Sequence, residues 1–366
     1  MSFQKKPIRV LIVDDSALIR TILSKNLSKD SDIVVVGEAA DPYAARDLIV
    51  ELRPDVITLD IEMPRMDGIT FLKHFMAVMP TPTIIVSSFT QKGNQLSLSA
   101  LEAGAVDVIE KPSMSLIDDL FMSPNSINER IKRVAGLTLK KIDHAPPLYH
   151  QEHHTHLHHH HEHQTVLSEN VSSHCISDPI IAIGSSTGGV EALNFILPVF
   201  SENSPGIVLV QHMPIGVTEA FSKRLDGLCK IHVKEAKNGD LVEAGLALIA
   251  PGGAQHMRVK RTGNKYRVIL EEGEMVNFSR PSVDVLFNSL ASEATYNVAA
   301  AILTGMGKDG AAGMLAIRKA GGRTYAQDEA TSVVFGMPKM AIDLGGAEKI
   351  LPLNQIPNAL LNAFKR

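Results

Sequence analysis

Between Ile8 and Ile109 the chain repeats one pattern five times: a short apolar, β-branched run followed by an amphipathic stretch. The runs are Ile8–Val13, Ile33–Val36, Val56–Leu59, Thr83–Val86 and Val106–Ile109. Unbroken rather than alternating hydrophobicity marks strands buried on both faces of a parallel sheet. The stretches between them have the helical period. Leu18, Ile19, Ile22, Leu23 and Leu27 fall on one face, and Ala44, Ala45, Leu48, Ile49 and Leu52 do the same. Parallel strands need crossover helices, so five such units in about 125 residues predict an α/β, flavodoxin-like doubly wound sheet.

The pattern stops near Gly136 and resumes at Pro179. From His144 to His163 ten of twenty residues are histidine, and few large apolar side chains appear before Ile180. Such a stretch cannot bury enough surface to offset the entropy of ordering it. Residues 136–178 therefore read as a His-rich flexible linker between a domain at 1–135 and another at 179–366. Its imidazoles have the chemistry to bind a metal, but a solvated linker is the simpler reading. Beyond it, Ile180–Ile183, Ile207–Val210, Leu246–Ala250 and Val298–Leu303 read as strands, with helical patterns after Gly189, Thr218, Val283 and Gly310. Lys265–Leu270 opposite Gln255–Val259 reads as an inserted hairpin. The second domain is thus also doubly wound, mainly parallel α/β.

Composition excludes several classes. A chain of 366 residues that is 45% hydrophobic supplies two cores. A net charge of −4 offers nucleic acid no bulk attraction. Two cysteines, Cys175 and Cys229, suit a reducing compartment. No apolar run approaches the roughly 18 residues of a membrane helix. The first apolar run ends at Asp14 and Asp15, where a signal peptide would carry small residues. The expectation is a cytoplasmic protein with no nucleic-acid partner and no membrane insertion.

Polar residues gather at the carboxyl ends of the strands, where open α/β sheets build their sites. Strand one ends in Asp14 and Asp15, strand three in Asp60, strand four in Ser87, and strand five in Lys111-Pro112. Three convergent carboxylates repel unless a cation sits among them, and hard oxygen donors suit Mg²⁺. A carboxylate beside Mg²⁺ can attack a phosphoryl group. Asp14-Asp15, Asp60 in LDIEMPRMDG, Ser87 in VSS and Lys111-Pro112 together resemble the receiver domains of two-component response regulators over residues 8–135. The resemblance implies that Asp60 is the phosphoacceptor, that Asp14 and Asp15 hold Mg²⁺ with it, and that Ser87 and Lys111 contact the phosphoryl group. A chemotaxis histidine kinase is then the phosphodonor. Many receivers carry an aromatic switch residue three before the lysine, where this chain has Val108. Partial rather than complete switching is expected.

In the second domain a strand runs into Gly184-Ser185-Ser186-Thr187-Gly188-Gly189 and then a helix. This contains G-x-S-x-G around Ser186, a turn that presents one side chain and faces helix N–H groups. Glycine-rich turns also cradle phosphates, but the dinucleotide pattern G-x-G-x-x-G is not met. The next strand ends at Gln211-His212, and Val298–Leu303 runs into a turn containing Asp309. Three parallel strands thus deliver Ser186, His212 and Asp309 to one sheet edge, the groups of a nucleophile, a general base and an orienting acid. IAIGSSTGGVEAL, VLVQHMP, IAPGGAQHM, RPSVDVLF, ILTGMGKDGAAGM and VFGMPKMA resemble the catalytic domain of chemotaxis protein-glutamate methylesterases over nearly all of 179–366. The resemblance implies Ser186 as nucleophile, His212 as base and Asp309 as its orienting acid. Backbone N–H groups at Thr187 and Met306 are the expected oxyanion donors. It also implies methyl-accepting chemotaxis receptors as substrate, hydrolysis of their glutamate γ-methyl esters, deamidation of their glutamines, and no cofactor for the esterase step. The rival is a response regulator with a binding output such as a transcription factor. That output would carry a basic helix-turn-helix, which the α/β pattern lacks.

Overall fold

The computed structural model describes residues 6–64, 66–87, 90–111, 126–137 and 178–365, without the side chains of Gln91 and Tyr296. Pro112, Cys175 and the histidine tract lie outside the described residues. In the N-terminal half the strands are β1 (Ile8–Val13), β2 (Ile33–Ala39), β3 (Val56–Asp60), β4 (Thr83–Ser87) and β5 (Asp107–Glu110). They pair in the order β2-β1-β3-β4-β5, all parallel. The helices are α1 (Ala17–Leu27), α2 (Pro42–Leu52), α3 (Gly68–Val78), α4 (Gln91–Glu102) and α5 (Ile127–Val134). Each of the first four starts where a short polar side chain accepts a first-turn N–H: Ser16, Asp41, Asp67 and Thr90.

Two expected core positions face water. Leu18 is 60% exposed and Ala44 is exposed, while Leu23, Leu27, Ala45 and Ile49 are buried. At 3.6 residues per turn five apolar positions cover more than the stripe a flanking helix can bury, so the outermost of each set is left out.

The C-terminal half has β6 (Ile180–Ser185), β7 (Gly206–Gln211), β8 (His232–Glu235), β9 (Leu246–Ile249), β12 (Val298–Ile302), β13 (Arg323–Gln327) and β14 (Lys349–Leu351) in one sheet. Their order is β14-β13-β12-β6-β7-β9-β8, and every pairing is parallel. The expected hairpin is present as β10 (Gln255–Thr262) against β11 (Lys265–Glu272). Helices α6 (Gly189–Ile196), α7 (Val217–Asp226), α8 (Val283–Glu293), α9 (Ala311–Lys319), α10 (Met337–Asp343) and α11 (Ile356–Asn362) complete it. One apolar core lies on each face of this sheet. Leu286, Phe287, Met314 and the hairpin's Tyr266 fill one, and Leu193, Phe200, Phe221 and Ile356 fill the other.

From β6 the chain winds outward through β7, then returns past β6 to β12 and winds the other way. That reversal is the topological switch point, where the crevice of an open α/β sheet lies. In the N-terminal sheet the same reversal falls between β1 and β3. The two halves also touch. Leu98 of α4 is buried in the C-terminal core beside Val217 and Phe221, and Met306 packs against the N-terminal core.

Candidate active site

Ser185 and Gln211 are register partners at the ends of β6 and β7, so the next residues, Ser186 and His212, leave the sheet side by side. A bond from His212 N–H to Ser185 O, 3.2 Å, extends the ladder past the strand ends. On the other side Ser186 N–H donates to Thr304 O at 3.0 Å, tying the serine turn to the loop after β12. Asp309 lies further along that loop, and His212 Nε2 stands 2.8 Å from its Oδ2. Because a carboxylate accepts, Nε2 carries the proton and Nδ1 is the ring's free base. The geometry joins His212 to Asp309. Among the described residues no hydrogen bond joins Ser186 to the ring.

Asp309 is 2% exposed. It also accepts from Ser282 Oγ at 2.7 Å, Val283 N at 2.7 Å, Asp284 N at 3.1 Å and Asn277 Nδ2 at 3.2 Å. Burial pushes its carboxyl up, but the bonds from His212, Ser282 and Val283 outweigh that and hold it below the usual carboxylate range. Gln211 braces the nucleophile turn: its Oε1 accepts from Ser185 Oγ at 2.7 Å, and its Nε2 donates to Ser186 O at 2.9 Å. Gly305 has to be glycine, since a Cβ there would stand 2.8 Å from the Ser186 Cβ and 2.3 Å from Met337 Sδ. Sequence reasoning missed Gln211, Ser282 and Asn277. RPSVDVLF contains Ser282, but only the folded loop brings it to Asp309.

Thr187 and Met306 flank the serine in the turns after β6 and β12, and their backbone N–H groups have no acceptor among the described residues. The Thr187 hydroxyl reaches the N-terminal half instead, donating to Val106 O at 3.4 Å. Ser186, Thr187, His212 and Met306 share a cavity of about 1160 Å³ whose other wall is Val106–Lys111 with Arg130 and Arg133. Elsewhere on the contact between the halves, Arg224 pairs with Glu102 at 2.7 Å.

The N-terminal crevice brings together the other predicted set. Ligand oxygens of Asp14, Asp15 and Asp60 lie within 4.8 Å of one another. Lys111 Nζ is 2.7 Å from Asp60 Oδ2 and 3.3 Å from Asp14 Oδ2. Burial pushes the Asp60 carboxyl up to about 6, with Lys111 pulling it down and the Asp14 charge adding to the rise. Ser87 Oγ is buried with no hydrogen-bond partner among the described residues. One lysine cannot balance three carboxylates, and an all-oxygen donor set beside an unpaired hydroxyl fits a hard divalent cation and an anion next to it.

Two family models match the chain: CheB methylesterase over residues 181–360 and response regulator receiver domain over residues 10–120. The protein-glutamate methylesterase/protein-glutamine glutaminase 2 of Cereibacter sphaeroides is 49% identical, over 97% of this chain and 92% of its own. That of Pseudomonas aeruginosa is 47% identical over 98% of both chains. The crystal structure of the Thermotoga maritima CheB methylesterase catalytic domain is 41% identical, with a TM-score of 0.50, covering 51% of this chain and 99% of that one.

Proposed function

Because the chain belongs to the CheB methylesterase family and carries a receiver domain ahead of the esterase, we propose that it hydrolyses glutamate γ-methyl esters on methyl-accepting chemotaxis receptors. In this reading it also deamidates receptor glutamines, and phosphorylation of Asp60 by a chemotaxis histidine kinase in the cytoplasm raises its rate.

The observation that carries the esterase reading is the 2.8 Å His212–Asp309 pair beside Ser186 at adjoining strand ends. Ser186 Oγ attacks the γ-carbonyl carbon while His212 Nδ1 takes its proton. Asp309 orients the ring and stabilises the imidazolium. The oxygen charge that develops is met by the Thr187 and Met306 N–H groups. Collapse breaks the C–O bond, and methanol leaves with the proton from His212; from a glutamine, ammonia leaves instead. Water activated by His212 then hydrolyses the acyl-enzyme to glutamate.

In the receiver, Asp14, Asp15 and Asp60 would hold Mg²⁺, which offsets the charge of the carboxylates and of the incoming phosphoryl group. The Asp60 carboxylate attacks phosphorus, and the kinase's imidazole leaves. Lys111 and Ser87 then bond the phosphoryl oxygens.

The test is methanol release from methylated receptor membranes by wild type and Ser186→Ala. Release by the wild type and its loss in the variant are expected. Equal release by both would overturn the nucleophile role, and none by either would overturn the esterase reading.

A further inference from the structure

The loop between β11 and α8 contains a turn that the fold alone does not explain. Val276 and Ser279 exchange both backbone hydrogen bonds, at 3.1 and 3.0 Å. Between them Asn277 and Phe278 have φ of +51° and +63°. Two-residue turns with both central φ positive favour Asn-Gly, because a Cβ crowds the backbone there. Asparagine tolerates that region, whereas a phenylalanine held in it is strained. Burial does not compensate, since Phe278 is 55% exposed.

Two further facts give the strain a purpose. Phe278 stands on the wall of the cavity that holds Ser186 and His212, together with Ile215 and Met275, which are 60% and 48% exposed. Three large apolar side chains therefore rim a site whose reacting group is only a small ester. The same turn also holds the catalytic carboxylate: Asn277 Nδ2 donates to Asp309 Oδ1 at 3.2 Å and to Asp284 Oδ2 at 2.8 Å.

We propose that Phe278 is a specificity-determining residue that grips apolar side chains flanking the glutamyl ester of the substrate, and that Asn277, on the same turn, is a positioning residue for Asp309. The inference rests on the esterase reading and deepens it. Substrate side chains that cover Phe278, Met275 and Ile215 gain apolar contact, while the Asn277 amide on the same turn holds Asp309 in line with His212 whether or not the flank is bound. A polar-flanked ester enters the same cavity but gains no such contact.

The experiment uses the full chain treated with acetyl phosphate and Mg²⁺, methylated receptor membranes, and two synthetic γ-methylglutamyl peptides that differ only in leucine or serine flanks. Methanol release gives kcat and KM for each. The wild type should show a KM about tenfold lower for the leucine-flanked peptide, the scale of one apolar contact. Phe278→Ala should erase that difference through KM, with kcat changed by less than about twofold. Phe278→Gly relieves the positive φ and should show the same KM loss with a raised Tm, which separates the grip from the fold. Asn277→Gly keeps the turn but removes the amide; it should lower kcat about tenfold and leave the flank preference intact. Unchanged KM in both Phe278 variants, or peptides untouched while membranes are hydrolysed, would overturn the grip. A kcat loss in Asn277→Gly that merely follows a lowered Tm would overturn the positioning role. Failure of the esterase reading looks different: the wild type would release no methanol from any of the three substrates.

Discussion

Asp309 is held by five donors, from His212, Asn277, Ser282, Val283 and Asp284, and this sets what changes around it do. Its folded carboxyl lies below the ordinary range, so its contribution to stability is present above the unfolded carboxylate value. It is lost as pH falls through the lower, folded value. Ser282→Ala removes a 2.7 Å donor and should cost about 1–3 kcal/mol in urea unfolding at pH 7. Most of that difference should vanish once pH falls below the lowered, folded value of the Asp309 carboxyl. A residue should remain at every pH, because Ser282 Oγ also caps α8 by accepting from Val285 N. A deficit independent of pH would show that Ser282 acts through the cap alone. On the proposed roles, Ser186→Ala should lower kcat by up to about a millionfold with Tm unchanged, since a nucleophile and its base act as a unit. Asp309→Asn should lose stability as well as rate, because its NH₂ cannot accept from the donors that converge there. Ser186, His212 and Asp309 were legible in the sequence because each follows an apolar strand. Gln211 is no less important to the serine turn, yet its role depends on a cross-strand pairing that a linear reading does not show.

At the scale of elements, α4 is the contact that matters. Leu98 is buried among Val217 and Phe221, and burying a leucine contributes about 1.5–3 kcal/mol. Gly216 at the start of α7 has φ of +78°, and a Cβ there would meet the Asn94 amide at 2.1 Å. Glu102 is pushed up by burial despite Arg224 beside it, so this interface includes a costly charge. Leu98→Ser should weaken docking and raise methanol release by the unphosphorylated chain several-fold at unchanged Tm of the C-terminal domain; a rate equal to wild type would count against α4 as the latch. The central strands were readable because they are solid runs of apolar residues. Strands β8, β13 and β14 were not. β14 is three residues at a sheet edge, and β13 reads Arg-Thr-Tyr-Ala-Gln, with Thr324 and Gln327 buried. Gln327 is accommodated because its Oε1 accepts from Thr304 N at 2.7 Å, a partner 23 residues away. Apolar patterning cannot find a strand whose buried side chains are polar and satisfied at long range.

At the scale of the molecule, the two halves close on each other around the serine. The Thr187 hydroxyl meets Val106 O, Met306 leans on the N-terminal core, and Arg224 pairs with Glu102. Joined domains sit at high effective concentration, so a modest interface of this kind stays mostly closed. Opening it from 1:99 to 99:1 would take about 5.5 kcal/mol. Phosphorylation of Asp60 would supply part of this through the new charge beside Lys111, and Val108, buried in β5 at the position expected for an aromatic switch residue, would limit the rest. What closure excludes depends on size. A receptor helix, about 10–12 Å across with its side chains and part of a larger receptor, has to pass between the two halves that line the cavity of about 1160 Å³, whereas a short peptide is small enough to enter it. Residues 178–366 retain both cores of their sheet and give up only α4's contribution. This fragment should therefore hydrolyse receptor membranes faster than the unphosphorylated full chain, while the two differ little on a short γ-methylglutamyl peptide. Equal acceleration on both substrates would mean that the receiver distorts the catalytic groups rather than covering them. A folded fragment no faster on either would mean that the receiver activates the esterase or docks it on its substrate.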